Sequence, residues 1–78
     1  MEKFEAGVWE QYREEDGGDG LSVRSRHGRM DLAIKAATRY ARESSEPTGG
    51  PLSWSGGVRG PDGRVVWYDR AGEVVWTP

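Results

Sequence analysis

Side chains able to do chemistry are few in this sequence, and their spacing says what each can offer. The 78 residues hold one histidine, His27, and no cysteine. Nucleophilic catalysis needs an activated Ser, Thr or Cys beside a base, most often histidine. His27 lies between Arg26 and Gly28 at the end of an extended run. It reads as a surface loop residue. A zinc site needs three or four N or S ligands, which the composition does not supply. Glu14, Glu15, Asp16 and Asp19 offer oxygens for a hard cation. A calcium loop, however, alternates its ligands and closes on a distant glutamate, whereas these acids are bunched and the closing glutamate is missing. Gly17-Gly18-Asp19-Gly20 lacks the lysine and the helix of a phosphate cradle. Asp69 and Glu73 form a carboxylate pair that suits acid–base work in principle, but at the end of a hairpin such groups are usually exposed. The expectation is a non-enzyme, with no catalytic residue, cofactor or metal ion.

What remains is aromatic and cationic surface. Four Trp and three Tyr are many for a chain of this size. Trp, Tyr and Arg dominate binding hot spots, and an exposed apolar patch marks an interaction site. Trp67, Val65 and Val75, with Arg59 at the rim, are the candidate partner-binding residues. Arg24, Arg26, Arg29, Arg39 and Arg42 are candidate nucleic-acid contacts, since sheet aromatics can stack bases while arginines follow phosphates.

Charge is distributed unevenly. The net charge is −2, which speaks against a general nucleic-acid binder. Residues 1–20 carry seven acids and two bases, giving −5; residues 21–42 carry six bases and one acid, giving +5. Neutralisation across a folded hairpin accounts for that asymmetry most simply. Arginine outnumbers lysine nine to two, a coding bias associated with high-GC bacteria and their phages. No apolar run approaches the ~20 residues of a membrane span. The N-terminus lacks the basic start and apolar segment of a signal peptide. A soluble, cytoplasmic protein without membrane partners is expected.

The elements that must position these residues can be read from periodicity. Residues 1–78 form one domain. Residues 1–27 make an N-terminal hairpin. Phe4, Ala6, Val8 and Tyr12 share one strand face, and Trp9 lies on the other with Glu5 and Gln11, where Arg24 or Arg26 can stack on it. On the second strand Leu21 and Val23 face in, and Arg24 and Arg26 face out. Asp31 caps a helix over residues 31–44, whose apolar stripe is Met30, Ala33, Ile34, Ala37, Tyr40 and Ala41. Residues 45–52 form a Pro- and Gly-rich loop, and residues 53–77 a C-terminal β-meander.

Turn chemistry sets the register of that meander. Pro61 pre-sets φ, Asp62 can bond nearby backbone and Gly63 tolerates positive φ. With Pro61, Asp62 and Gly63 as the loop, Arg59 faces Val65, Val58 faces Val66, Gly57 faces Trp67 and Gly56 faces Tyr68. With Arg70, Ala71 and Gly72 as the next loop, Tyr68 faces Val74, Trp67 faces Val75 and Val66 faces Trp76. Trp54, Val58, Val66, Tyr68, Val74 and Trp76 then share the core face. Ser53, Ser55, Gly57, Arg59, Val65, Trp67 and Val75 share the other, and a slip by one residue would exchange the two. The layout is α+β: an antiparallel sheet in the order β-β-α-β-β-β with one helix packed on one face.

The alanine-rich helix, the polar crossing and the Pro61-Asp62-Gly63-Arg64 turn leading into a hairpin resemble small uncharacterised bacterial β-β-α-β-β domains. The resemblance covers residues 21–68. It implies the fold and carries no activity, and the extra terminal strand and long acidic first loop depart from that pattern. The functional expectation is a small non-catalytic interaction or regulatory protein, of a kind carried by phages or accessory elements. It would bury the Val65, Trp67 and Val75 face against another protein or a second copy. Single-stranded nucleic-acid binding is the alternative.

Overall fold

The computed structural model describes residues 3–9, 20–43 and 55–77. Expectations that fall on residues 10–19 and 44–54 lie outside these: the acidic loop, Gln11 and Tyr12, the 45–52 crossing, Ser53 and Trp54. Five strands and one helix appear in the expected order: β1 (Phe4–Trp9), β2 (Leu21–His27), α1 (Met30–Glu43), β3 (Gly56–Arg59), β4 (Val65–Tyr68) and β5 (Val74–Trp76). The strands form one antiparallel sheet in the order β2-β1-β3-β4-β5. Because β1 runs antiparallel to both β2 and β3, those two run parallel with β1 between them. The helix is therefore the crossover of a split βαβ unit, and it lies over β1 and β3 and reaches β2.

Helix and sheet meet through small residues. Ala33, Ala36, Ala37, Thr38 and Ala41 are buried on α1, while Met30 is exposed. They pack with Ala6, Val58 and Tyr68, flanked by Phe4, Ile34, Tyr40 and Val66. A Cβ on Gly56 would fall on the Ala37 carbonyl oxygen, so glycine is what lets the helix backbone lie directly on β3. The helix begins at Met30, with Ala33 N donating to Arg29 O. Asp31 is thus inside the first turn instead of at the cap, and its carboxylate accepts a hydrogen bond from Arg29 at 3.0 Å. It still suits the positive end of the helix dipole.

Turn chemistry sets the β3–β4 register as expected. Gly56, Gly57, Val58 and Arg59 pair with Tyr68, Trp67, Val66 and Val65. Gly63 has φ of +86°, and Asp62 Oδ1 accepts from Arg64 N at 3.1 Å. The next turn repeats the device. Gly72 has φ of +88°, and Asp69 Oδ1 accepts from Ala71 N and Glu73 N, each at 2.9 Å. The β4–β5 register then departs from expectation. Tyr68 pairs with Val74, but Trp67 pairs with Trp76, because a bulge intervenes with Val75 as the extra residue. Trp76 therefore shares the face of Trp67, not the helix-covered face of Tyr68. A second bulge, between Ser25 and Val23 opposite Ala6 and Gly7, makes Arg24 the extra residue on β2.

Candidate interaction surface

The sheet face away from the helix has its own apolar cluster. Leu21, Val65 and Trp67 are buried there, with Trp9 and Val23 packed against them. Cross-strand pairing lines up Val23, Gly7, Gly57, Trp67 and Trp76 across the sheet. Gly57 leaves bare backbone on this face, and the Trp67 ring lies against it. A Cβ on Gly57 would meet that ring at 2.9 Å and the Leu21 side chain at 3.0 Å. Trp67 is consequently 2% exposed and Val65 5%.

That burial corrects the expected binding patch. Val65 and Trp67 do not present a surface, since the chain itself covers them; of the apolar trio only Val75 is exposed. Arg59 is half-buried, and its guanidinium lies 3.0 Å from Glu5 Oε1. Arg26 reaches the other Glu5 oxygen at 3.2 Å. One carboxylate on β1 thus bridges arginines on both neighbouring strands. The Glu5–Arg26 pair is also the neutralisation across the hairpin that the charge asymmetry suggests, for the acid that is described. Trp9 packs against the apolar cluster, and a cation–π contact is formed by Arg39 over the Tyr40 ring at 5.4 Å.

The five candidate nucleic-acid arginines are not gathered on one face. Arg24 and Arg26 lie on β2, Arg29 precedes α1, and Arg39 and Arg42 lie on the helix. Arg29 pairs with Asp31 at 3.0 Å, Arg39 with Glu43 at 3.8 Å, and Arg42 Nε donates to the Arg70 carbonyl at 2.8 Å. Arg70 Nε donates in return to the Ala41 carbonyl, so the helix C-terminus and the β4–β5 turn are tied by reciprocal bonds. With Trp67 covered, the main base-stacking ring of the expected platform is also removed from solvent.

One polar constellation was not legible in the sequence. Tyr40 Oη donates to Ser25 Oγ at 2.8 Å, and Ser25 Oγ lies 2.7 Å from His27 Nε2. His27 is thus the half-buried last residue of β2, not a loop residue. Its spacing of two from Ser25, which puts both on one strand face, is the signal that could have found it. A serine proton directed at an imidazole nitrogen is half of a nucleophile motif. Among the described residues no carboxylate bonds the other ring nitrogen to orient it, as a triad requires. What the chain of bonds does is clamp α1 to an edge strand. Asp69 likewise is used as a turn acceptor. A cavity of about 430 Å³ beside the β3–β4 turn is lined by Phe4, Met30, Val58 and Val66 together with turn residues that include Asp62 and Arg64. Among the described residues no group of three or more His, Cys, Asp or Glu is placed to hold a metal ion, and no helix is long and apolar enough to cross a membrane.

The large exposed apolar surface is concentrated on β5. Val74 is 53% exposed, Val75 47% and Trp76 51%. Among the described residues β5 is the last strand of the sheet and pairs only with β4. Apolar side chains leave it toward both faces, and no other described strand lies beside its outer edge of backbone groups. Sequence reasoning placed Val74 and Trp76 in the core. The available signal was positional: the final strand of a meander is an edge unless the sheet closes.

These features define a small α+β domain, one helix on a five-stranded antiparallel sheet, with one guarded edge and one apolar edge. No family model, curated protein or solved structure matches the chain.

Proposed function

We propose that the protein is a small non-catalytic binding protein that engages another polypeptide along the open edge of β5. One observation supports this reading: Val74, Val75 and Trp76 are consecutive large apolar residues on an edge strand, all about half exposed. An extended segment added to a free sheet edge gains main-chain hydrogen bonds, and side chains on alternate faces provide selectivity. The test compares pull-downs from the lysate of the source cell with three baits: wild type, Trp76→Ser and, as an exposed apolar control on α1, Leu32→Ser. Proteins captured by wild type and Leu32→Ser but lost from Trp76→Ser support the reading. The same set on all three baits overturns it.

A further inference from the structure

We propose, resting on the β5 reading, that the occupant of this edge is a second copy of the chain, paired antiparallel through β5 about a two-fold axis at Val74. The backbone fixes which residue can sit on that axis. Asp69 N donates to Glu73 O at 2.9 Å, and Glu73 N donates to Asp69 Oδ1 at 2.9 Å. Both backbone groups of Glu73 are therefore turned toward β4. Backbone groups alternate sides along a strand, so the N–H and C=O of Val74 point to the open edge. Two such residues facing each other exchange a pair of N–H···O bonds.

Charge selects the same register. Glu73 is the one charged residue between 73 and 77. With Val74 on the axis, Glu73 lies opposite Val75 of the second copy, so the carboxylates never sit directly across from each other. A parallel pairing in register would stack them. The opposite edge of the sheet excludes the remaining arrangement. β2 presents exposed Arg24 and Arg26 and carries a bulge, devices that discourage strand pairing. A β5-on-β2 contact would run head to tail without closing, whereas β5 on β5 closes at two chains. The bulge at Val75 confines regular pairing to a short segment, so the association depends on concentration.

The experiment is light scattering on the pure protein across a concentration series. Wild type should rise from one chain mass to two and stop there. Val74→Lys and Val74→Glu, each checked for native circular dichroism, should remain monomeric where wild type is dimeric. Their equimolar mixture should recover the dimer, because lysine then faces glutamate across the axis. Wild type that stays monomeric, or grows past two without limit, overturns the proposal. So does a mixture that fails to recover. A monomer whose pull-down partners still depend on Trp76 overturns self-pairing alone; a monomer without such partners overturns the edge reading as well.

Discussion

Replacing Gly56 with alanine tests the contact on which the two layers depend. The new Cβ would sit 2.6 Å from the Ala37 carbonyl carbon and 3.1 Å from its Cβ, where ordinary contact begins at 3.4 Å. The gap to the carbon alone must open by about 0.8 Å, the Ala37 carbonyl oxygen lies nearer still, and this helix backbone has no rotamer to change. Overpacking of this kind costs about 1–3 kcal/mol, and a backbone obstacle puts Gly56→Ala at the upper end. Lower entropy of the unfolded chain returns about 0.4–1 kcal/mol. A net loss of about 2 kcal/mol is expected, which lowers the melting temperature of a domain this size by roughly 8–16 °C. The assay is urea and thermal unfolding followed by tryptophan fluorescence. Gly28→Ala is the control, since a Cβ there meets nothing within 4 Å and Gly28 does not have positive φ. It should be neutral or stabilise by about 0.4–1 kcal/mol. If the two variants agree within about 0.5 kcal/mol, the error expected for a surface change, the helix does not rest on β3 as described.

Three further outcomes follow from named contacts. Trp67→Ala removes the largest fully buried side chain; it should cost about 3–5 kcal/mol, and a cooperative melt near that of wild type would refute its burial. Gly72→Ala has room for its methyl, the nearest atom being Thr38 Oγ1 at 3.6 Å, so only the φ of +88° opposes it. It should lose about 1–2 kcal/mol by chemical denaturation, and no loss would mean the turn differs. Burial raises the Tyr68 hydroxyl above its ordinary value of 10.0. The unfolded chain then releases this proton first, so stability is level below pH 10 and falls as pH rises from there through the folded value. Absorbance titration of wild type against Tyr68→Phe should show one tyrosine titrating late, and unfolding between pH 9 and 11.5 should show the loss only in wild type.

How much of this was legible depends on what kind of signal each feature leaves. The β3–β4 register was, residue for residue, because Pro61, Asp62 and Gly63 each have a local reason to form one loop. The pairing of Gly57 with Trp67 and of Gly56 with Tyr68 followed from that register alone, although only Gly57 lies under a ring, Gly56 taking the helix backbone instead. The β4–β5 register failed one residue beyond a correctly read loop. Val74, Val75 and Trp76 are all apolar, so inserting a bulge exchanges one apolar side chain for another and leaves no mark in the pattern. The burial of Val65 and Trp67 was half legible, since two apolar faces mean that the second is covered either within the domain or by something else. Alternation shows that a strand has two apolar faces; it does not show which segment covers the second. Leu21 and Val23, read as facing in, do so on the side opposite the helix. Ser25 and His27 share a strand face by their spacing of two, but the Tyr40–Ser25 bond joins a helix to a strand across 15 residues, a pairing that no local spacing encodes.

A chain this short has little apolar surface with which to cover a five-stranded sheet. The one described helix lies over β1 and β3, and on the second face the Trp67 ring lies against Gly57 with Leu21 and Val65 packed around it. Both solutions act at the centre, where Gly56 and Gly57 are adjacent on β3 and serve opposite faces. They leave the periphery to be handled separately. β2 is protected by arginines and a bulge. β5 has a bulge but no charge within its three residues, and it keeps its apolar side chains in solvent. If that edge were only leftover surface, replacing Trp76 by serine would change neither mass nor partners and would improve solubility. If it is the binding element, the same substitution removes association while the melting temperature, set by Trp67 and the glycine contacts, stays within about 0.5 kcal/mol of wild type in stability. Measuring both quantities on that variant separates the two.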